Sequence, residues 1–123
     1  MFFFPLKESV FDRKALRMEY KTAKTIGVIR LGETCFFFRR GVKIYYIAYI
    51  EIVRFFRRVM LIPTGTKRGD MRMETLVICD EKGELAQIQI PGHNAAKLLM
   101  DEMKAKAPHA DSTCPDKSQE VSK

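Results

Sequence analysis

Apolar and polar residues alternate with a period of two through most of the chain, which is the pattern of half-buried β-strands. The segments 16–20 and 25–31 each predict one such strand, the second of them β-branched around Gly27. The segments 34–39 and 42–49 predict a hairpin, because both contain aromatic and β-branched residues and they are joined by Arg40-Gly41.

The next segments continue the same pattern. Residues 53–62 predict a long strand that ends at Pro63. The stretch 63–70 is a loop by composition, and 73–79 and 84–90 predict a second hairpin.

The period changes to that of a helix after Pro91-Gly92. Asn94 is the predicted N-cap of a helix over 95–106, a run rich in strong helix formers. Its apolar stripe consists of Ala96, Leu99, Met100 and Met103.

These elements predict a mainly β fold: six or seven antiparallel strands in a bent sandwich or barrel that one C-terminal α-helix caps. Residues 1–20 are expected to be an N-terminal extension packed on the domain, 21–107 the domain itself, and 108–123 a flexible polar tail. The apolar start, Phe2-Phe3-Phe4, has two interpretations: it inserts into the core, or it docks on a partner such as a second copy of the chain.

The length and charge of the chain limit the class of protein and the kinds of partner to be considered. The 123 residues suffice for one domain, and their hydrophobic fraction of 46% is that of a globular protein. Nine basic and two acidic residues lie between Arg39 and Arg72, and their difference equals the whole net charge of +7. Such a patch attracts acidic partners; the alternative is a solvated surface that only keeps the protein soluble.

Cysteine usage and targeting signals favour the cytoplasm. The three cysteines, Cys35, Cys79 and Cys114, are widely spaced and form no metal-ligand or disulfide pattern, and Cys35 and Cys79 are expected to be buried thiols. The N-terminus lacks the features of a signal peptide, and the longest apolar run, 44–50, is far shorter than a membrane span. No cofactor and no metal are expected.

No catalytic motif is present, so an enzyme is not expected. His93 and His109 are the only histidines, and His93 is interpreted as a surface or capping residue. The loop Gly65-Thr66-Lys67-Arg68-Gly69 contains glycines and cations, but not in the order of a phosphate-binding loop.

The stretch 53–59 is the most specific binding candidate. With a period of two, Arg54, Phe56 and Arg58 share one face, on which two guanidinium groups flank an aromatic ring. The candidate binding residues of this stretch and its neighbours are Arg39, Arg40, Lys43, Arg54, Phe56, Arg57, Arg58, Lys67 and Arg68. The alternative is a strand whose phenylalanine packs inward while the arginine stems cover its edge.

The chain resembles bacterial pleckstrin-homology-like (PH-like) domains over about residues 21–106. The resemblance is carried by Phe36–Ile47 leading into Tyr49-Ile50-Glu51-Ile52, and then by Leu76–Cys79, the turn at Lys82-Gly83, Ile88-Gln89-Ile90 and the helix. It implies a seven-stranded bent sandwich of two sheets with a helix over one open end. Members mostly bind proteins, peptides or lipid headgroups and lack catalytic residues.

The chain departs from this family at one place. Members that bind phosphoinositides carry several cations around their first hairpin loop, which corresponds here to Leu31-Gly32-Glu33 with Arg30 beside it. The resemblance therefore does not imply that this chain binds phosphoinositides.

Three hypotheses about the function of the protein remain. The leading hypothesis is a non-catalytic module that recognises an acidic protein or peptide, with self-association as a variant. The alternatives are peripheral binding to an anionic membrane and binding of single-stranded nucleic acid. The core's need for most of the aromatic residues counts against the last.

Overall fold

The computed structural model describes residues 3–7, 11–63, 65 and 69–112. Within them the chain forms the strands β1 (Phe3–Pro5), β2 (Lys24–Ile26), β3 (Ile29–Leu31), β4 (Cys35–Arg40), β5 (Lys43–Ala48), β6 (Arg54–Pro63), β7 (Asp70–Asp80) and β8 (Gly83–Ile90). The helices are α1 (Arg13–Thr22) and α2 (His93–Lys106), and a 3-10 turn covers Tyr49–Glu51. The predicted mainly β fold with a C-terminal helix is confirmed.

The strands form two sheets. The first sheet has the order β1-β5-β4-β3-β2, and the second has the order β6-β7-β8. Neighbouring strands are antiparallel except β1, which pairs in parallel with β5. The predicted β4–β5 hairpin is present, and Gly41 has the positive φ of 62° that its tight turn requires.

The main core lies between the two sheets and α2. Sheet residues such as Phe36, Phe55 and Leu76 are fully buried in it. The helix contributes Ala96, Leu99 and Met103, as its apolar stripe predicts, while Met100 is half-buried at the margin. Burial of this stripe is what holds α2 against the sheets.

The prediction of a strand over residues 16–20 is wrong, because this segment belongs to α1. Leu16 and Tyr20 are buried and Met18 is exposed, which fits the i, i+4 spacing of a helix. The Asp12 carboxylate accepts a hydrogen bond from the Ala15 N–H at 3.1 Å and so caps the helix. Three apolar residues are too few to distinguish the two periods, and the capping aspartate is the signal that does.

Two element boundaries also differ from prediction. The run 25–31 is a hairpin, β2–β3, because Gly27 adopts a φ of 60° and reverses the chain. The N-cap of α2 is Gly92 and not Asn94, so the helix begins at His93.

Helix α1 packs on the outer face of the first sheet. Its residues Leu16 and Tyr20 form a second buried cluster with Phe37 and Tyr46. Phe3 of β1 adds an edge-to-face contact with Phe37, so the N-terminal strand is tied to this cluster. This contact supports the core-insertion interpretation for Phe3; Phe2 lies outside the described residues.

Glu19 of α1 fixes the turn between β3 and β4. Its carboxylate accepts hydrogen bonds from the backbone N–H of Thr34 at 2.9 Å and of Cys35 at 2.7 Å. The carboxylate lies so close to Gly32 that a Cβ there would meet Glu19 Oε2 at 2.3 Å. The turn therefore needs glycine at position 32 because of a close approach, and not because of its φ.

The described C-terminal residues return to the second sheet. Asp111 forms a parallel bridge with Arg54 at the edge of β6. Residues 113–123, most of the predicted flexible tail, lie outside the described part of the chain. Neither α1 nor α2, the helices of the described residues, has the length and apolar character to cross a bilayer.

We predict that Glu19→Ala lowers the free energy of unfolding by about 1–3 kcal/mol, because two backbone N–H groups lose their acceptor. Urea denaturation followed by circular dichroism measures this change. Arg17→Ala is the control, since Arg17 is an exposed residue of the same helix. Equal stability of the two variants would contradict the role of Glu19.

Candidate functional site

The arginine side chains of strand β6 lie on both of its faces and at its outer edge. The register with β7 pairs Phe55 with Ile78 and Phe56 with Val77. Phe55 belongs to the main core, whereas Phe56 lies in a small buried cluster with Val77 and Cys79 on the outer face of the second sheet. The predicted alternation of faces along this strand is therefore present.

Arg54 holds the C-terminal segment at the free edge of β6. Its Nε and Nη2 donate to Asp111 Oδ2 at 3.1 and 2.8 Å. The Phe55 N–H donates to the Asp111 carbonyl, and the Asp111 N–H donates to the Val53 carbonyl, both at 3.0 Å. An acidic residue thus occupies one position of an added parallel strand, with backbone and side chain both bound.

Arg58 covers the outer cluster. Its guanidinium carbon lies 5.4 Å from the centroid of the Phe56 ring, and Nη2 donates to Glu84 Oε2 at 2.7 Å. This hydrogen bond holds the pKa of the Glu84 carboxyl below its usual value. The Phe56 ring is only 2% exposed, so the predicted stacking of a ligand on it is not available in this arrangement.

Arg57 points to the opposite face and pairs with a buried carboxylate. Its Nε donates to Glu74 Oε1, and Arg72 Nε donates to Glu74 Oε2 at 2.9 Å. Arg57 Nη2 lies 2.7 Å from Nδ1 of His93, the first residue of α2. Because a guanidinium group only donates, Nδ1 is the acceptor in this contact.

Glu74 is ionised in spite of its burial. The carboxylate is 3% exposed, and desolvation alone raises its pKa. Hydrogen bonds from Arg57 and Arg72 outweigh that effect and bring the pKa below its usual value. The ion pairs thus keep a negative charge at the end of the second sheet.

A cleft of about 550 Å³ opens beside these residues, between α2 and the end of β6 and β7. Its cationic side chains are Arg57, Arg72, Lys97 and Lys104, which together with His93 define what we call the basic groove. Asp101 is the one acidic side chain among the described residues that line it. A groove lined mainly by cations attracts negatively charged groups.

The free edge of β6 runs along this groove. Strand β6 is the last strand of its sheet, and Val59 on it also lines the cleft. Because the Phe55 N–H points away from β7 toward Asp111, the backbone groups of Arg57, Val59 and Leu61 point the same way. No further strand of the described residues pairs with them. Ser112, which follows Asp111, lines the cleft as well.

The remaining predicted residues are not gathered at this site. Arg39, Arg40 and Lys43 lie on the β4–β5 hairpin, and Arg40 donates to the carbonyl of Gln87 in β8, which links the two sheets. Lys67 and Arg68 lie outside the described residues.

Sequence reasoning missed the part of the site that α2 supplies. Lys97 and Lys104 lie on the flank of the predicted apolar stripe, and their spacing of two helical turns signals one common face. Asp111 gave no such signal, because its partner Arg54 is 57 residues away along the chain. Arg72 is only two residues from its partner Glu74, but this spacing alone does not indicate that the carboxylate is buried and shared with Arg57.

Neither of the two described cysteines lines the basic groove. Cys35 and Cys79 are both free and buried, as predicted, and burial raises the pKa of Cys35 to about 11. Within the described residues, no three His, Cys, Asp or Glu side chains are placed to hold a metal ion.

We predict that Glu74→Gln lowers the free energy of unfolding by about 1–3 kcal/mol near neutral pH, because two arginines lose a buried anionic partner. Since the folded-state pKa of Glu74 is lowered, its stabilisation is present above about pH 4, the unfolded value, and disappears as the pH falls through the folded value. The difference between wild type and variant must therefore shrink on acidification. Urea denaturation over that pH range measures it, with the exposed Glu33→Gln as control; a difference that is constant with pH would contradict the ion pair.

Comparisons of the chain with protein-family models, with curated proteins and with solved structures find no match. The resemblance to PH-like domains therefore stays a prediction that rests on the residues that carry it.

Proposed function

We propose that the protein is a non-catalytic interaction module that binds an extended acidic segment of a protein partner along the free edge of β6. The bound segment adds a strand to the second sheet and places its carboxylates in the basic groove. The bridge at Asp111 carries this proposal, because it is an acidic residue bound at that edge through its backbone and its side chain.

The geometry beyond Asp111 supports continuation of the same mode of binding. The backbone groups of Arg57, Val59 and Leu61 point outward from the end of the sheet. A peptide strand placed there satisfies these groups through main-chain hydrogen bonds, which supply affinity without regard to sequence.

Charge supports an acidic occupant over a second copy of this chain. The basic groove lies beside the edge, so the carboxylates of a ligand strand would lie near Lys97 and Lys104 of α2. Two copies paired through this edge would bring two such grooves together, and the repulsion between like charges disfavours that complex.

The architecture also supports the PH-like prediction. The antiparallel strands β2–β5, the antiparallel strands β6–β8 and the C-terminal helix are the parts that the resemblance implies. Most members of that family bind proteins, peptides or lipid headgroups without catalysis. In this proposal the module acts in the cytoplasm, where buried free thiols such as Cys35 and Cys79 are usual.

We expect the double variant Lys97→Glu/Lys104→Glu to weaken binding of a fluorescein-labelled peptide that alternates aspartate and valine by about tenfold or more, because carboxylates in the groove lose their partners. Fluorescence anisotropy measures the dissociation constant. The matched control is Lys14→Glu/Arg17→Glu, which makes the same change in net charge on the exposed face of α1.

Two outcomes would count against the proposal. Equal weakening by both double variants would mean that only net charge matters. Undiminished binding of the same peptide after N-methylation of alternate residues would exclude strand addition, because those N–H groups are the ones that bond to β6.

A further inference from the structure

Helix α1 has an exposed cationic face, which the prediction of a strand over residues 16–20 did not reveal. In a strand, Arg17, Glu19 and Lys21 would share one side, and their opposite charges would mix. In a helix, successive residues are about 100° apart, so Lys14, Arg17 and Lys21 gather on one side. Glu19, the only acidic residue of α1, lies on another side, where the turn between β3 and β4 binds its carboxylate.

We call Lys14, Arg17, Met18 and Lys21 the α1 face. All four residues are exposed, whereas Leu16 on the other side of the helix is buried. Lys14 and Lys21 are two helical turns apart, roughly 10 Å along the axis, and Arg17 lies between them. Met18 is 65% exposed and lies opposite the buried side. The face therefore consists of three cations around one apolar side chain.

The buried side of α1 holds this face in a fixed orientation on the domain. Leu16 and Tyr20 pack among Phe37 and Tyr46 of the first sheet. The Arg30 guanidinium carbon lies 4.1 Å from the centroid of the Tyr20 ring. Because these contacts lie within the domain, a partner of the α1 face does not have to order the helix when it binds.

The shape and composition of the α1 face fit an anionic lipid surface. The face is the convex outer side of a helix, and no residue of α1 is among those that line the basic groove. A bilayer with anionic lipids attracts Lys and Arg near its surface. It also offers an apolar environment just below the headgroups, in which the flexible side chain of Met18 can be buried. The phosphates of a nucleic acid would attract the same cations, but they offer Met18 no such environment.

We propose that the α1 face attaches the protein to the surface of an anionic lipid bilayer, with the axis of α1 parallel to the membrane plane. Lys14, Arg17 and Lys21 then lie among the headgroups, and Met18 reaches the boundary with the acyl chains. The first sheet lies between α1 and the main core. Lipid binding at this face and peptide binding at the edge of the second sheet therefore use separate surfaces.

Two double variants with the same change in net charge distinguish the two surfaces. Lys14→Glu/Arg17→Glu should reduce co-sedimentation with vesicles of phosphatidylcholine and phosphatidylserine in a ratio of about two to one by about tenfold or more. Lys97→Glu/Lys104→Glu, in the basic groove, should reduce it much less. The peptide assay should rank the two variants in the opposite order, so the failure of one proposal is recognisable without the failure of the other.

Met18 distinguishes a lipid surface from other anionic partners. The chain contains no tryptophan, so a single introduced indole reports only on its own position. The emission of Met18→Trp should shift to shorter wavelength with the same vesicles, and brominated lipid should quench it. Leu98→Trp is the control, because Leu98 is an exposed apolar residue of the other helix, α2. It should show neither effect, and thermal denaturation establishes that each variant is folded.

Three results would overturn the proposal. The first is equal vesicle binding by the wild type and Lys14→Glu/Arg17→Glu. The second is an equal loss in both double variants, which would mean that only net charge matters. The third is absence of a shift for Met18→Trp with anionic vesicles. If in that case a double-stranded oligonucleotide bound the wild type but not Lys14→Glu/Arg17→Glu, the partner of the α1 face would be a nucleic acid instead.

Discussion

The geometry of the site depends on one buried carboxylate. Glu74 lies on the inner face of the second sheet, where an unpaired charge would be strongly destabilising. It therefore needs both guanidinium groups that reach it, and this requirement directs Arg57 and Arg72 toward the end of the sheet. Arg57 in turn contacts His93 at the start of α2. The same ion pairs thus set the direction of the cations and bring Arg57 into contact with the first residue of the helix.

A second property of the site is that β6 is basic on both faces, while beyond the bridge at Asp111 no strand of the described residues pairs with its outer edge. Arg58 is occupied with covering the outer cluster, and Arg57 is occupied with Glu74. The charge of the strand disfavours uncontrolled pairing between sheets.

Local patterns predicted most of the fold, and long-range pairings could not be predicted. The hairpin β4–β5 and the stripe of α2 follow from alternation and from helical spacing within a few residues. Helix α1 was missed because 16–20 satisfies both periods. Arg57 lies 17 residues from Glu74 along the chain, and Arg54 lies 57 residues from Asp111. Only the folded structure therefore reveals these contacts. The stretch around β6 stays a prediction as a binding site, and its position as one wall of the groove depends on α2.

In the proposed mode of binding, the bridge at Asp111 would make the C-terminal segment a competitor within the same chain. The segment is covalently attached to the domain that it contacts. Its binding to the edge of β6 is therefore intramolecular, and an effective concentration replaces the concentration of protein in solution. A partner that adds a strand from that point must displace this segment. The apparent affinity of the partner is then lower than its intrinsic affinity, because it binds only the fraction of molecules in which the segment has left the edge. Any change that weakens the contact between Asp111 and Arg54 would then raise the apparent affinity for such a partner, without altering any contact that the partner itself makes.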